Sequence, residues 1–329
     1  MQRKNSIRPY VRISRPEYWA NHVFILPGIL LAFFYIPGWP DAATLLRVAL
    51  GIAAACLVAS SNYVLNEILD APKDRFHPEK KNRPVACGEV RVPVAYAQWL
   101  VLAALGFALA FSLMRPLGWT MVAFWISGMV YNVPPIRLKD VPYVDVLCES
   151  MNNPIRLCIG WFAAGASIAP PTSILLAYWM FGAFLMGMKR YAEFRHIKES
   201  GQAANYRRSF GYYNEERLQE SIYFYGALFG MLSGFFMARY HVEMVLATPL
   251  VSLAMAYYIH LGFKPNSPVQ HPERLFRQKK LIVLVLMAFL ACAVLLYVRI
   301  PLFERAIAPW TIPADGLQQG AGPALPASE

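Results

Sequence analysis

Polar positions divide the chain into nine apolar runs, at roughly 18–36, 44–65, 93–113, 117–133, 143–168, 172–188, 219–238, 243–263 and 281–299. Each is close to the ~20 residues that a helix needs to cross a hydrocarbon core of ~30 Å. None shows the alternating pattern of a barrel strand. In lipid every backbone N–H and C=O must be paired within the protein, so helix is the form these runs can take. The expected fold is therefore all-α, a polytopic membrane bundle of nine transmembrane helices. Composition agrees: 57% of the 329 residues are hydrophobic and 16% are charged, against roughly 25% charged in a soluble domain. A soluble enzyme, a disordered chain and a fibrous protein are excluded, and no length is left for a large soluble domain. The five cysteines form no CxxC pair and read as small apolar fillers. No cleavable signal peptide is evident, because the first apolar run has span length and lacks a small-residue cleavage site.

The basic residues sort by loop. The N-terminal tail and the loops after spans two, four, six and eight carry 25 of the 31 Lys and Arg residues; the other side has Arg47, Arg115, Arg239, Arg299 and Arg305. The positive-inside rule then places the N-terminus and the even-numbered loops in the cytoplasm and the C-terminus outside. The expected organisation is a basic tail over 1–17, a membrane domain over 18–300 and an extracytoplasmic tail over 301–329, disordered from about Trp310 onward. Topology and anionic headgroups account for the basic loop from Lys264 to Lys280. Two other loops mix acids, amides and bases more densely than topology requires.

The first follows span two. Asn66, Asp70 and Asp74 are spaced by four and stack on one helix face. Two carboxylates and an amide at a helix C-terminus oppose the macrodipole and repel one another unless a cation lies between them. Hard oxygen donors suit Mg²⁺, which takes one or two carboxylates and shares its remaining positions with substrate phosphates. Pro72 removes an N–H, so Asp74 is expected just past a kink, in a loop folded back over Asp70. Lys73, Arg75, Lys80, Lys81 and Arg83 lie on the same stretch. Acids for a metal and bases for phosphate oxygens together make a diphosphate site.

NxxxDxxxD at the end of span two, followed by His77-Pro78-x-Lys80-x-x-Arg83-Pro84-x-x-x-Gly88, resembles the UbiA superfamily of intramembrane prenyltransferases. The stretch from Tyr131 through Pro134, Pro135 and Arg137 to Lys139 is similar to that family's Y-S-x-P-P-x-R-x-K, and Arg15-Pro16 with Trp19 to Asn21 resembles its entry into span one. The similarity covers most of residues 10–300. One departure is Glu67, where the family usually has Asp after the Asn. The resemblance implies a UbiA-like bundle around a central cavity, a site at the cytoplasmic face, Asn66, Asp70 and Asp74 as metal ligands and catalytic residues, an isoprenoid lipid substrate and a diphosphate donor, with no nucleic-acid partner.

The second dense loop follows span six. The family's usual aspartate-rich motif is replaced there by Lys189, Arg190, Tyr191 and Glu193, and no Asp lies between Asp145 and Asp315. Such a change turns a metal-binding wall into an anion-binding one. The Lys-Arg-x-x-Glu signature, with Tyr206-Arg207-Arg208 to Tyr212 after it, resembles the decaprenyl-phosphate phosphoribosyltransferase-like branch. That resemblance implies transfer of 5-phosphoribose from phosphoribosyl diphosphate to a polyprenyl phosphate, the diphosphate held through Mg²⁺ and the second phosphate held by cations. Prenyl transfer to an aromatic or other small acceptor is the alternative, and a non-catalytic transporter or lipid-binding scaffold a remoter one.

Within span five, Asp145, Glu149, Asn152 and Arg156 follow a helical stripe, with Asn153 beside it. Ionisable groups in a span are costly and face a polar cavity or one another. Asp145 is expected to pair with Lys139. Arg156, deeper, is expected to bind a substrate phosphate or to neutralise Glu149; Asn153 and Tyr131 join it as candidate substrate-binding residues. The orientation is tested by thiol labelling in a variant whose native cysteines are serine. Arg239→Cys should react with an impermeant reagent from outside intact cells, and Lys280→Cys only after the membrane is opened.

Overall fold

The computed structural model describes residues 6–36, 38, 40–75, 80–198, 208–270, 272–301 and 303. The expected tail from Trp310, the motif residues His77 and Pro78, and Tyr206-Arg207 lie outside the described residues. Helical segments answer to all nine expected spans. A short α1 (Arg8–Ile13) precedes a 3₁₀ stretch (Pro16–Ile25) that passes into α2 (Leu26–Tyr35). Then come α3 (Ala42–Asp74), α4 (Val92–Leu113), α5 (Arg115–Asn132), α6 (Val144–Ser150), α7 (Asn152–Ala163), α8 (Thr172–Lys198) and α9 (Glu215–Tyr240). A 3₁₀ turn (Val242–Ala247) leads into α10 (Thr248–Gly262), and the short α11 (Pro272–Leu275) precedes α12 (Lys279–Tyr297). Among the described residues there is no strand. Seven segments are long and apolar enough to cross a membrane; α5 and the α6–α7 pair are the exceptions.

Two prolines shape the spans in opposite ways. Span five, expected as one helix over 143–168, is two, broken at Met151. Pro154 has no N–H to give to the carbonyl of Ser150, and the ladder is interrupted there. Pro72 does not break α3. It gives up one bond near the helix end, the chain stays helical through Asp74, and the Arg75 N–H closes onto Ala71 O at 3.3 Å. The expectation of Asp74 in a loop past the helix is therefore corrected.

Four apolar clusters hold the bundle; the smallest packs α1, α3, α4 and the 80–90 loop together through Ile13, Val64, Ala95 and Val85, and the other three are larger. One joins α2, α3, α4, α5 and α7 through Ile29, Val58, Met121 and Ile159; a second joins α8, α9 and α10 through Phe184, Ile222 and Leu261. The third ties the halves together through Leu157, Trp161, Tyr178, Phe236 and Leu296, at the end remote from the polar motifs. There His241 Nδ1 meets Glu243 Oε2 at 2.7 Å and its Nε2 meets Leu296 O at 2.5 Å, while Ile300 N–H donates to Glu243 Oε1, fixing the end of α12. Large apolar side chains remain exposed on α4, α9 and α12, such as Leu105, Met231 and Leu290, which suits a surface solvated by lipid.

The crossing of the α2 region with α7 is backbone on backbone. A Cβ on Gly28 would fall 2.0 Å from Leu157 O, and one on Gly160 would fall 2.3 Å from Ile25 O. Neither contact has a flexible side chain to yield. Gly28→Ala should therefore lower stability by about 1–3 kcal/mol, the usual cost of overpacking, read as a lower melting temperature in detergent.

Candidate active site at the polar end of the bundle

The last two turns of α3 carry Asn66, Asp70 and Asp74 on one face, and the loop between α5 and α6 folds over them. Lys139 Nζ lies 2.7 Å from Asp70 Oδ1, 3.3 Å from Asn66 Oδ1 and 3.0 Å from Asn132 Oδ1. Oxygens from two helices thus converge on one cation. Arg137 Nη2 donates to the same Asp70 oxygen at 2.9 Å, and its Nε donates to Asp140 Oδ2 at 3.0 Å. Arg137 has φ 29°, outside the regions that L-residues favour. Such a backbone persists when its surroundings over-determine it, and these two ion pairs supply that restraint. One turn beyond Asp70, Asp74 Oδ2 accepts from Arg83 Nη1 at 2.6 Å.

The other predicted bases divide. Arg75 donates from Nε to Ala86 O at 3.2 Å and holds the 80–90 loop. Lys73 is exposed and 4.0 Å from Asp140; Lys81 is exposed and Lys80 half-buried on the same loop. Glu67 faces away from the metal-type donors. It accepts from Arg15 Nη2 and from the Val85 N–H, each at 3.3 Å, and so joins the N-terminal segment to the 80–90 loop.

A second cluster forms around Arg190, whose side chain is 2% exposed. Nε donates to Asp145 Oδ2 at 3.0 Å, Nη1 to Glu193 Oε2 at 2.8 Å, and Nη2 to Tyr131 Oη at 3.0 Å and to Glu149. Tyr131 Oη also donates to Glu149 Oε2 at 2.9 Å, and Lys189 Nζ is 3.8 Å from Glu149 Oε1. Tyr213 donates to Asp145 Oδ1 at 2.6 Å while accepting from the Tyr143 N–H. Burial, then the nearby charge of Asp145, holds the Tyr213 phenol well above the ordinary tyrosine range, so it stays a donor.

Three expectations are corrected here. Asp145 pairs with Arg190 and Lys139 with Asp70, so the Asp145–Lys139 pair does not form. Glu149 is neutralised by Arg190 and Lys189, and Arg156 makes no ion pair among the described residues. The α8 wall is not simply basic: carboxylates from α6 surround Arg190, standing where α8 itself lacks aspartates. Tyr191, next in sequence, is buried in the core, where its Oη accepts from Gln219 at 3.2 Å. Asn153 is buried against α8 beside Gly182. Sequence reasoning left out Arg137, Asn132, Asp140 and Tyr213 as site residues. Asn132 and Arg137 stood inside a quoted motif; nothing in the pattern marked Asp140 or Tyr213.

Among the described residues, no three His, Cys, Asp or Glu side chains gather into a metal-binding cluster. The donor set still fits a Mg²⁺ that completes its shell with water and phosphate. Asn66 and Asp70 already meet at a single cation, and Asp70 Oδ2 and Asp74 Oδ1 keep an oxygen outside the ion pairs described. A cavity of about 530 Å³ lies along the α5–α6 loop, between Pro134, Arg137, Asp140 and Arg208, and is lined by none of Asn66, Asp70 and Asp74.

The chain belongs to the UbiA prenyltransferase family, whose model matches residues 23–279; it is an integral membrane protein. It is 28% identical over 200 residues to decaprenyl-phosphate phosphoribosyltransferase of Mycobacterium tuberculosis, covering 60% of this chain and 64% of that one. With the enzyme of the same name from Corynebacterium glutamicum it is 30% identical over 199 residues, 58% of this chain and 56% of that one. The match thus spans less than two thirds of these relatives' length. The fold matches a UbiA homolog from Archaeoglobus fulgidus, solved bound to GPP and Mg²⁺, with a TM-score of 0.64 at 21% identity over 91% of this chain and 99% of that one.

Arg190→Gln should lower stability by about 3–5 kcal/mol, because it leaves buried carboxylates without their cation. Asp145, 0% exposed, has the most to lose. The check is the melting temperature in detergent, where Arg190→Lys should recover part of the loss.

Proposed function

We propose that this protein is a Mg²⁺-dependent membrane transferase that moves 5-phosphoribose from phosphoribosyl diphosphate to a polyprenyl phosphate, at the cytoplasmic face. The observation that carries the reading is the convergence of Asn66, Asp70 and Asp74 with Arg83, Arg137 and Lys139 at one end of a membrane bundle, beside an α8 wall without a second aspartate pair. The names of the two bacterial relatives support the choice of donor and acceptor. Mg²⁺ held by Asn66, Asp70 and Asp74 would supply charge neutralisation for the diphosphate.

The residues of the chain set up the rest. Arg83, Arg137 and Lys139 hold diphosphate oxygens and stabilise the negative charge that builds as the bond from ribose C1 to the diphosphate oxygen breaks, with its electron pair leaving on the diphosphate. A lipid phosphate oxygen forms the new bond to C1. It is already anionic, so no strong general base is needed. Lys189, at the edge of the Arg190 cluster, would meet the 5-phosphate. Arg190, Tyr131 and Glu193 keep that wall in position. Catalysis is then orientation plus preorganised charge.

Purified protein should turn over phosphoribosyl diphosphate with a polyprenyl phosphate, and Asp70→Asn should reduce kcat by about 10²–10³-fold, the scale for losing one preorganised electrostatic group. Turnover only with a prenyl diphosphate and an aromatic acid would overturn the reading. Translocation without any product, surviving in Asp70→Asn, would make the protein a transporter.

A further inference from the structure

Below the ion-pair clusters lies a second polar group of residues that the chemistry above does not use. From Glu149 to Arg156 the chain descends about 10 Å at ~1.5 Å per helical residue. The Arg156 guanidinium lies over the ring of Phe124, 5.5 Å from its centroid. His22, from the 3₁₀ stretch, meets the same ring edge-on at 6.4 Å, and Asn62 of α3 donates from Nδ2 to the Phe124 carbonyl at 3.1 Å. Four elements therefore bring an arginine, a histidine and an amide around one phenylalanine. Each keeps a buried polar atom without a partner: Arg156 Nε, His22 Nδ1 and Asn62 Oδ1. His22 as a whole is 6% exposed.

This arrangement is costly as it stands. An unpaired cation inside a bundle is strongly disfavoured, and an aromatic face offsets only part of that cost. Each orphaned buried polar atom adds its own desolvation penalty. One ligand chemistry answers all three atoms. A phosphate monoester offers oxygens to the guanidinium fork and to an imidazole N–H, and in its monoanionic form a P–OH to the Asn62 oxygen. We infer that Arg156, His22 and Asn62 form a buried recognition site for a phosphate monoester, filled by the head group of the acceptor lipid. The choice of lipid over the donor's 5-phosphate rests on the proposed function and on position. The site is walled by the apolar cluster of α2, α3, α5 and α7, below the residues that face the diphosphate.

The test uses the full chain in detergent and reads binding without turnover. A labelled polyprenyl phosphate should bind wild-type protein, be displaced only poorly by the corresponding polyprenol, and bind Arg156→Gln at least tenfold more weakly. Phosphoribosyl diphosphate should bind both proteins within about twofold, and Arg156→Lys should recover part of the lipid affinity. Loss of donor binding alone would assign the site to the 5-phosphate and overturn the inference, as would unchanged lipid binding. His22→Phe keeps the ring contact with Phe124 and removes Nδ1. It should weaken lipid binding about threefold or more, and it decides the matter if Arg156→Gln does not fold. Lipid-phosphate binding that depends on Arg156 without phosphoribosyl transfer would leave the site standing and remove the proposed function instead.

Discussion

A guanidinium buried among carboxylates governs the polar end of this bundle. Taking Arg190 out of water is tolerable because its donors are matched by Asp145, Glu149, Glu193 and Tyr131. Those partners come from α5, α6 and α8, and Asp145 adds Tyr213 at the start of α9. One side chain thus fixes the approach of four helices. Asn132, the neighbour of Tyr131, carries the arrangement on to Lys139, and Lys139 carries it to Asp70 on α3. The chemistry-bearing residues are ordered by a chain of ion pairs that begins in the other half of the molecule.

Hydropathy made the spans legible, since a hydrocarbon solvent imposes length and composition directly. It could not show that α3 and α8 run on well past their apolar stretches, to Asp74 and Lys198, because those last turns are polar. The spacing of Asn66, Asp70 and Asp74 predicted one helix face; Lys139 meets the first two and Arg83 the third. Partner choice was hidden: Asp145 and Arg190 are 45 residues apart, and Asp70 and Lys139 are 69 apart. Local pattern carries no information about which of several bases reaches which acid. The prolines show the same limit, since Pro154 interrupts a span with helix on either side whereas Pro72 costs a single bond near an end.

Glu67 shows how a departure from family pattern finds its own use. One methylene longer than aspartate, it reaches the N-terminal segment and the 80–90 loop at once. At 2% exposure it is a fastener beneath the site. Arg15, its partner, has φ 49°, so the chain turns sharply just where this pair anchors it. The loop that delivers Arg83 to Asp74 is held from below by the carboxylate that departs from the family pattern.

The pairing of Asp70, Asp74, Asp145 and Glu149 with bases has a consequence for how the protein meets its surroundings. Counter-ions in solution weaken attraction between charges that water can reach, over a Debye length of ~8 Å at physiological ionic strength. Lys139 and Asp70 are 7% and 19% exposed, and Arg190 is 2% exposed, whereas Lys73 is 66% exposed. Added salt therefore acts on the outer lysines and leaves the inner lattice of charges in place. The interior holds its shape through changes of ionic strength that strip the rim of its pull on a polyanion.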